Sequence, residues 1–190
     1  VVPEAQPPAE ETQPSPAAPH ESRKIVTVVF TDIAESTSLG EALDPERLRR
    51  VMGRYFDTVS HALERHGGTV EKFIGDAVLA VFGIPYLHED DALRAVRAAL
   101  EARGALDLLN EELERDWGVR IQTRTGVNTG EVVAANGSAG GSFVTGRAVN
   151  VAARLEQTAP VGTILIGEDT YRLVRDAVEP QRGAHDRGTA

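Results

Sequence analysis

The sequence predicts an α+β fold, a ferredoxin-like βαββαβ core with C-terminal additions. Three observations carry that reading. A β-branched run, Ile25–Phe30, is followed by a long helical stripe. Two further strand-length runs are separated by Gly75-Asp76 alone, the length of a tight hairpin. A second long helical stripe and another strand complete the order β-α-β-β-α-β, which places an antiparallel-containing sheet under helices.

Each element has its own signal. Ile25-Val26-Thr27-Val28-Val29-Phe30 has strand length and no polar alternation, so it is expected to be buried on both faces. Asp44-Pro45 marks a helix start, with Asp as cap and Pro at the first helical position. Leu48, Val51, Met52, Tyr55, Phe56, Val59 and Leu63 recur at intervals of three and four, and Gly67-Gly68 ends the helix. Thr69–Ile74 and Ala77–Phe82 form the hairpin. A second helix spans about 89–115, with Leu93, Val96, Leu100, Leu106, Leu109 and Leu113 on its buried side. Val119–Val127 is a strand with Arg120, Gln122 and Arg124 on one face, and Glu131–Ala135 extends the sheet after Gly130. Residues 136–142 are a Gly/Ser-rich loop; Arg147–Thr158 is a helix, Thr163–Ile166 a strand and Asp169–Val174 a short helix.

The domain is expected over residues 24–178 of the 190, with an irregular tail at 179–190. Residues 1–23 form a linker: six of the ten prolines fall within residues 1–22, among Ala, Glu, Gln, Ser and Thr, a composition that buries too little apolar surface to order itself. The first residue is Val rather than Met, so the chain is expected to be a segment of a longer one.

Composition narrows the chemistry. Twenty basic against 29 acidic residues leave a formal charge of −9, against the basic surface that nucleic acid requires. The absence of cysteine excludes disulfides, thiolate zinc sites and cysteine nucleophiles. No apolar run approaches the ~20 residues that span a bilayer. A cytoplasmic protein without a membrane or nucleic-acid partner is expected.

Two aspartates stand out. Asp32 follows the first strand, and Asp76 sits at the hairpin tip. In a ferredoxin-like sheet these strand ends lie side by side, and two hard oxygen ligands there suit Mg²⁺ together with substrate phosphate. Taken singly, each reads better as a cap or a turn residue; together, at strand ends that converge, they favour the metal site. Residues 33–40, including Ile33 and Thr37, either offer backbone N–H groups to a polyphosphate or form an ordinary strand-to-helix loop. Asn150 and Arg154, at i and i+4 on a helix otherwise small and apolar, could orient a ribose and hold a phosphate that gains charge; a surface pair bonding to a loop is the alternative. Lys72 shares a strand face with Asp76 and is either a purine-reading donor or a solvated lysine. His88-Glu89-Asp90-Asp91 is expected to cap a helix rather than bind metal. Gly137–Gly141 lacks the lysine of a P-loop.

Phe30-Thr31-Asp32-Ile33, Glu71-Lys72-Phe73-Ile74-Gly75-Asp76-Ala77-Val78, Gly126-Val127-Asn128-Thr129-Gly130 and Gly146-Arg147-Ala148-Val149-Asn150-Val151-Ala152-Ala153-Arg154-Leu155 resemble, in order, the motifs of class III nucleotidyl cyclases, across roughly residues 24–178. The resemblance is greatest to bacterial adenylate cyclase domains of multidomain regulators, and so implies fused regulatory domains. It implies conversion of ATP to cyclic AMP and pyrophosphate by a head-to-tail homodimer whose active sites are shared between subunits. Asp32, Ile33 and Asp76 would hold two Mg²⁺ or Mn²⁺ ions that activate the ribose 3′-hydroxyl for in-line attack on the α-phosphate. From the second subunit, Asn150 would orient the ribose and Arg154 would stabilise the transition state. Ile33 and Thr37 would lie against the substrate, and Lys72 would read adenine. Counting back from Gly146, the second purine-selecting position falls on Phe143, where the family usually carries Asp, Thr or Ser. The basic residue of the family's terminal hairpin has no match in the last ten residues, where Arg182 and Arg187 are the available cations. A guanylate cyclase, or a nucleotide-binding and dimerising module without turnover, are the alternative functions.

Overall fold

A computed structural model describes residues 21–136 and 142–179. In chain order the elements are β1 (Glu21–Ile33), α1 (Ser36–Ala42), α2 (Pro45–Arg65), β2 (Thr69–Ile74), β3 (Ala77–Phe82), α3 (Asp91–Trp117), β4 (Thr123–Asn136), β5 (Ser142–Thr145), α4 (Arg147–Thr158), β6 (Ile164–Ile166) and α5 (Glu168–Val174). One sheet holds all six strands, in the order β2-β3-β1-β4-β5, with β6 parallel to β4. The α+β, ferredoxin-like core is thus as the sequence implies, with β1 at its centre, antiparallel to both β3 and β4.

Local signals explain most boundaries. The Asp44 carboxylate accepts from the N–H groups of Glu46 and Arg47 at 3.1 and 3.0 Å, with Pro45 opening α2. Gly75 turns the β2–β3 hairpin at φ +65°, a conformation that favours glycine. At the start of α3, Asp91 is buried and accepts from the His88 N–H at 2.8 Å while pairing with Arg94, which also donates to the His66 carbonyl at the end of α2. The expected cap is not made by the N-cap residue, Asp90, whose side chain bonds to no N–H of the first turn; Asp91, inside α3, ties the preceding loop to the helix instead.

Three boundaries differ from the sequence reading. β1 begins at Glu21, three residues before Lys24, because β4 continues past Gly130 and gives Ser22 and Arg23 partners in Ala134 and Val133. The strand expected from Val119 starts only at Thr123. The buried Asn110 side chain takes both the Ile121 N–H, at 2.6 Å, and its carbonyl, at 2.8 Å, so these groups are unavailable to a ladder. The segment 136–142 was expected as loop, but β4 runs to Asn136 and Ser142 opens β5. Residues 137–141, the tail from 180 and residues 1–20, and with them Arg182 and Arg187, lie outside the described residues.

Side-chain alternation along β1 builds two cores. Val29 and Ile33 face α2 and α3, with Tyr55, Val59, Leu63, Ala95, Ala99 and Leu113. Val26 and Val28 face the other way, with Leu79, Val81, Val132, Ala148 and Ala152 of α4. The two core helices share one face, and α4, part of the additions, covers the opposite one. α4 packs tightly over Gly126, where a Cβ would lie 2.1 Å from the Ala152 carbonyl oxygen and 2.6 Å from the Glu156 nitrogen. Backbone atoms cannot yield as a side-chain tip can. Gly126→Ala is expected to lift α4 and to cost about 1–3 kcal/mol, measured as lowered stability in urea unfolding.

Candidate active site

The β1 register sets the site. Asp32 is the cross-strand partner of Arg124, and Phe30 that of both Leu79 and Gly126, so all lie on the face covered by α4. Lys72, paired with Leu79, belongs to the same face, and is half-buried. Asp76, in the turn before β3, reaches the end of β1: the Asp32 and Asp76 carboxyls are close enough to share a hydrogen bond when one is protonated. The two aspartates 44 residues apart in sequence (76 − 32) thus meet.

Their proximity carries an electrostatic signature. Burial, the Asp76 charge and hydrogen bond, and the Glu156 charge push the Asp32 carboxyl up from its usual 3.8 to about 6, against a 2.9 Å hydrogen bond from the Ile33 N–H that favours ionisation. Asp76 Oδ2 is buried and has no hydrogen-bond partner. Crowded carboxylates with an orphaned oxygen fit divalent cations, which supply the missing positive charge. Among the described residues no three His, Asp or Glu side chains are grouped to hold a metal. Two carboxylates suffice for Mg²⁺, which keeps several waters and takes substrate phosphate.

This environment sets a pH dependence. In the folded chain Asp32 keeps its proton up to about pH 6, against 3.8 for the unperturbed group, so its contribution favours folding below about pH 4 and is lost as the pH rises through 6. Asp32→Asn is therefore expected to raise Tm at pH 8 in a metal chelator and to leave it nearly unchanged at pH 4, as read by thermal unfolding.

Of the other expected residues, Ile33 buries its side chain and donates its N–H to the Asp32 carboxylate. Thr37 is exposed on α1, a short helix where a loop was one of the two expectations; Glu35 precedes it in the left-handed region at φ 58°. Asn150 and Arg154 share the exposed face of α4, and neither side chain meets Asp32 or Asp76 within the chain. The backbone of Phe143 lies in β5, opposite Ala135; its side chain is outside the described residues.

Three residues that the sequence did not single out join the carboxylates. Glu156 is 2% exposed on the sheet-facing side of α4, and its Oε1 stands 3.6 Å from Arg124 Nε. Burial raises the Glu156 pKa, as does Asp76, while Arg124 opposes the rise. The Tyr55 hydroxyl is fully buried without a partner; its pKa is raised by burial and by the charges of Asp32, Asp76 and Glu156. A signal for Glu156 was present: it continues the small-residue stripe Ala148–Ala152 at i+4, which marks the buried side of the helix.

Comparison with known proteins places this geometry. The profile of the adenylate and guanylate cyclase catalytic domain matches residues 18–189. Among solved structures, the adenylyl cyclase CyaB from P. aeruginosa is similar with a TM-score of 0.80 and 33% identity, over 84% of this chain and 85% of that one. The guanylyl cyclase Cya2 gives a TM-score of 0.76 and 35% identity, over 80% and 79%. Adenylate cyclase 1 of Rhizobium meliloti (strain 1021) is 34% identical over 70% of this chain, and adenylate cyclase of Anabaena cylindrica 35% over 80%. The chain spans 21% and 31% of the length of those two curated relatives. No helix among the described residues is long and apolar enough to cross a membrane.

Proposed function

Since the chain belongs to the family of adenylate and guanylate cyclase catalytic domains, we propose that it converts ATP to cyclic AMP and pyrophosphate at two sites shared across a head-to-tail homodimer. The observation that carries this reading is the meeting of Asp32 and Asp76 around an orphaned carboxylate oxygen.

Asp32 and Asp76, with the Ile33 backbone, would hold two Mg²⁺ or Mn²⁺ ions. When bound, these cations lower the pKa of the ribose 3′-hydroxyl and neutralise charge on the phosphates. The remaining work falls to the chain. The O3′–H proton passes to solvent water, O3′ bonds to the α-phosphorus, and the bond from that phosphorus to the bridging oxygen breaks as pyrophosphate leaves. Asn150 of the partner subunit fixes the ribose, and Arg154 of the partner subunit meets the charge growing on the α-phosphoryl oxygens. Lys72, on the face of Asp32, donates to the purine, and Phe143 occupies the second purine-selecting position, where it supplies no hydrogen bond. Thr37 lies beside the phosphates.

The exposed positions of Asn150 and Arg154 leave both side chains available to a second copy, which supports the shared site. Phe73 and Ile74, 50% and 47% exposed on the hairpin that carries Asp76, give a second copy apolar surface to cover. We place the domain in the cytoplasm, where ATP is supplied, joined to regulatory domains in a longer chain.

The test is purified protein with Mn²⁺ and ATP, alone and against GTP. Cyclic AMP formation is expected, with ATP preferred because of Lys72. A preference for GTP would make the chain a guanylate cyclase, the reading that Phe143 favours. ATP binding without product would make it a nucleotide-binding module.

A further inference from the structure

We infer that Glu156 is a positioning residue for the metal-binding half of the site on its own subunit: it holds Arg124 off Asp32 and so keeps the carboxylates open to divalent cations. The inference rests on the cyclase reading above.

In sequence Glu156 lies two residues after Arg154. At 3.6 residues per turn, that step swings it roughly 200° around α4, from the exposed face to the sheet. Its backbone is seated there by Gly126, whose missing Cβ would strike the Glu156 nitrogen at 2.6 Å. Arg124 lies two residues before Gly126, on the same face of β4, directly across from Asp32. Arg124 thus pairs with Glu156 on α4 while its backbone sits across from Asp32 on β1.

Charge decides which of them it serves. A buried carboxylate persists only with a paired cation, and Arg124 is the one ion-pair partner of Glu156 among the described residues. Their closest approach, 3.6 Å between Nε and Oε1, is an ion pair rather than a hydrogen bond, and both atoms lack any other partner. The guanidinium is therefore held by charge, not locked by geometry. Without the Glu156 charge, Arg124 is released beside the aspartates: Asp32 is its cross-strand neighbour, and the Asp76 charge already reaches Glu156. A guanidinium fork on Asp32 would occupy the oxygens that a cation needs.

The experiment uses the whole chain and Mn²⁺ alone, by titration calorimetry, with circular dichroism and sedimentation confirming fold and assembly. Glu156→Gln is expected to weaken Mn²⁺ binding by about 10–100-fold, the usual effect of losing a partner behind a metal ligand. Adding Arg124→Gln to it should restore binding, because nothing then competes for Asp32. Unchanged affinity in the single variant, or a double variant as weak as the single, overturns the inference. Should Glu156→Gln not fold, Glu156→Asp withdraws the same charge by one methylene and should weaken Mn²⁺ in the same direction.

Mixed subunits give a second readout, in cyclic AMP. Glu156→Gln subunits should recover activity with Arg154→Ala subunits and not with Asp32→Ala subunits. The reverse pattern would assign Glu156 to the Arg154 half and overturn the inference. Unmutated protein that neither binds Mn²⁺ nor cyclises ATP overturns the proposed function and this inference together. An active unmutated enzyme beside normal Mn²⁺ binding in Glu156→Gln overturns this inference alone.

Discussion

Asp32→Ala is expected to lower cyclic AMP formation by at least ~10³-fold while leaving the fold intact. The cations that Asp32 would hold are each worth several kcal/mol of transition-state charge stabilisation, and ~4 kcal/mol corresponds to a thousandfold in rate. The side chain sits at the end of β1, only half-buried, and its ionised form works against folding. The variant should therefore melt no lower than the unmutated protein above pH 6. A kcat assay in Mn²⁺ beside a thermal melt checks both halves. Retained activity in a folded variant would remove the metal role from Asp32, and an inactive variant that is also unfolded would be explained by structure instead.

The second large effect is a recovery. Asp32→Ala and Arg154→Ala homodimers should each be inactive, yet their mixture should regain a fraction of the unmutated rate. Random pairing makes about half of the dimers mixed, each with one intact site, so roughly a quarter of the sites are whole. The motivation is the placement of Asn150 and Arg154 on the outer face of α4, away from the carboxylates of their own chain. A mixture that stays inactive while both variants fold and dimerise would overturn the shared site. Activity in proportion to dimer concentration, with loss on dilution, is the companion measurement.

Much of the fold was legible because it is written in local signals. The Asp44-Pro45 start of α2, the Gly75-Asp76 turn and the Arg147–Thr158 span of α4 need only neighbouring residues to specify them. Val119–Gln122 misled because Ile121 satisfies its backbone through Asn110, eleven positions back, and periodicity does not register such a partner. β5 escaped because its four residues are too few for a period. Within the site, the ordered motifs pointed to Asp32, Asp76, Lys72, Asn150 and Arg154 as candidates. The stripe Ala148–Ala152 placed Glu156 on the buried side of α4, but its partner Arg124 and the nearby Tyr55 came forward only when β1, β4, α2 and α4 were assembled.

By itself, the sequence determined which residue types were available and on which face of each element they fall, since helix and strand periods are properties of the backbone. Tertiary structure alone decided which faces meet. It brought Asp32 and Asp76 within a hydrogen bond, paired Arg124, across the strands from Asp32, with Glu156, and turned Asn150 and Arg154 outward. The physical reason is that charge interactions depend on distance and burial. Both are set by long-range strand register and by the approach of α4 over Gly126.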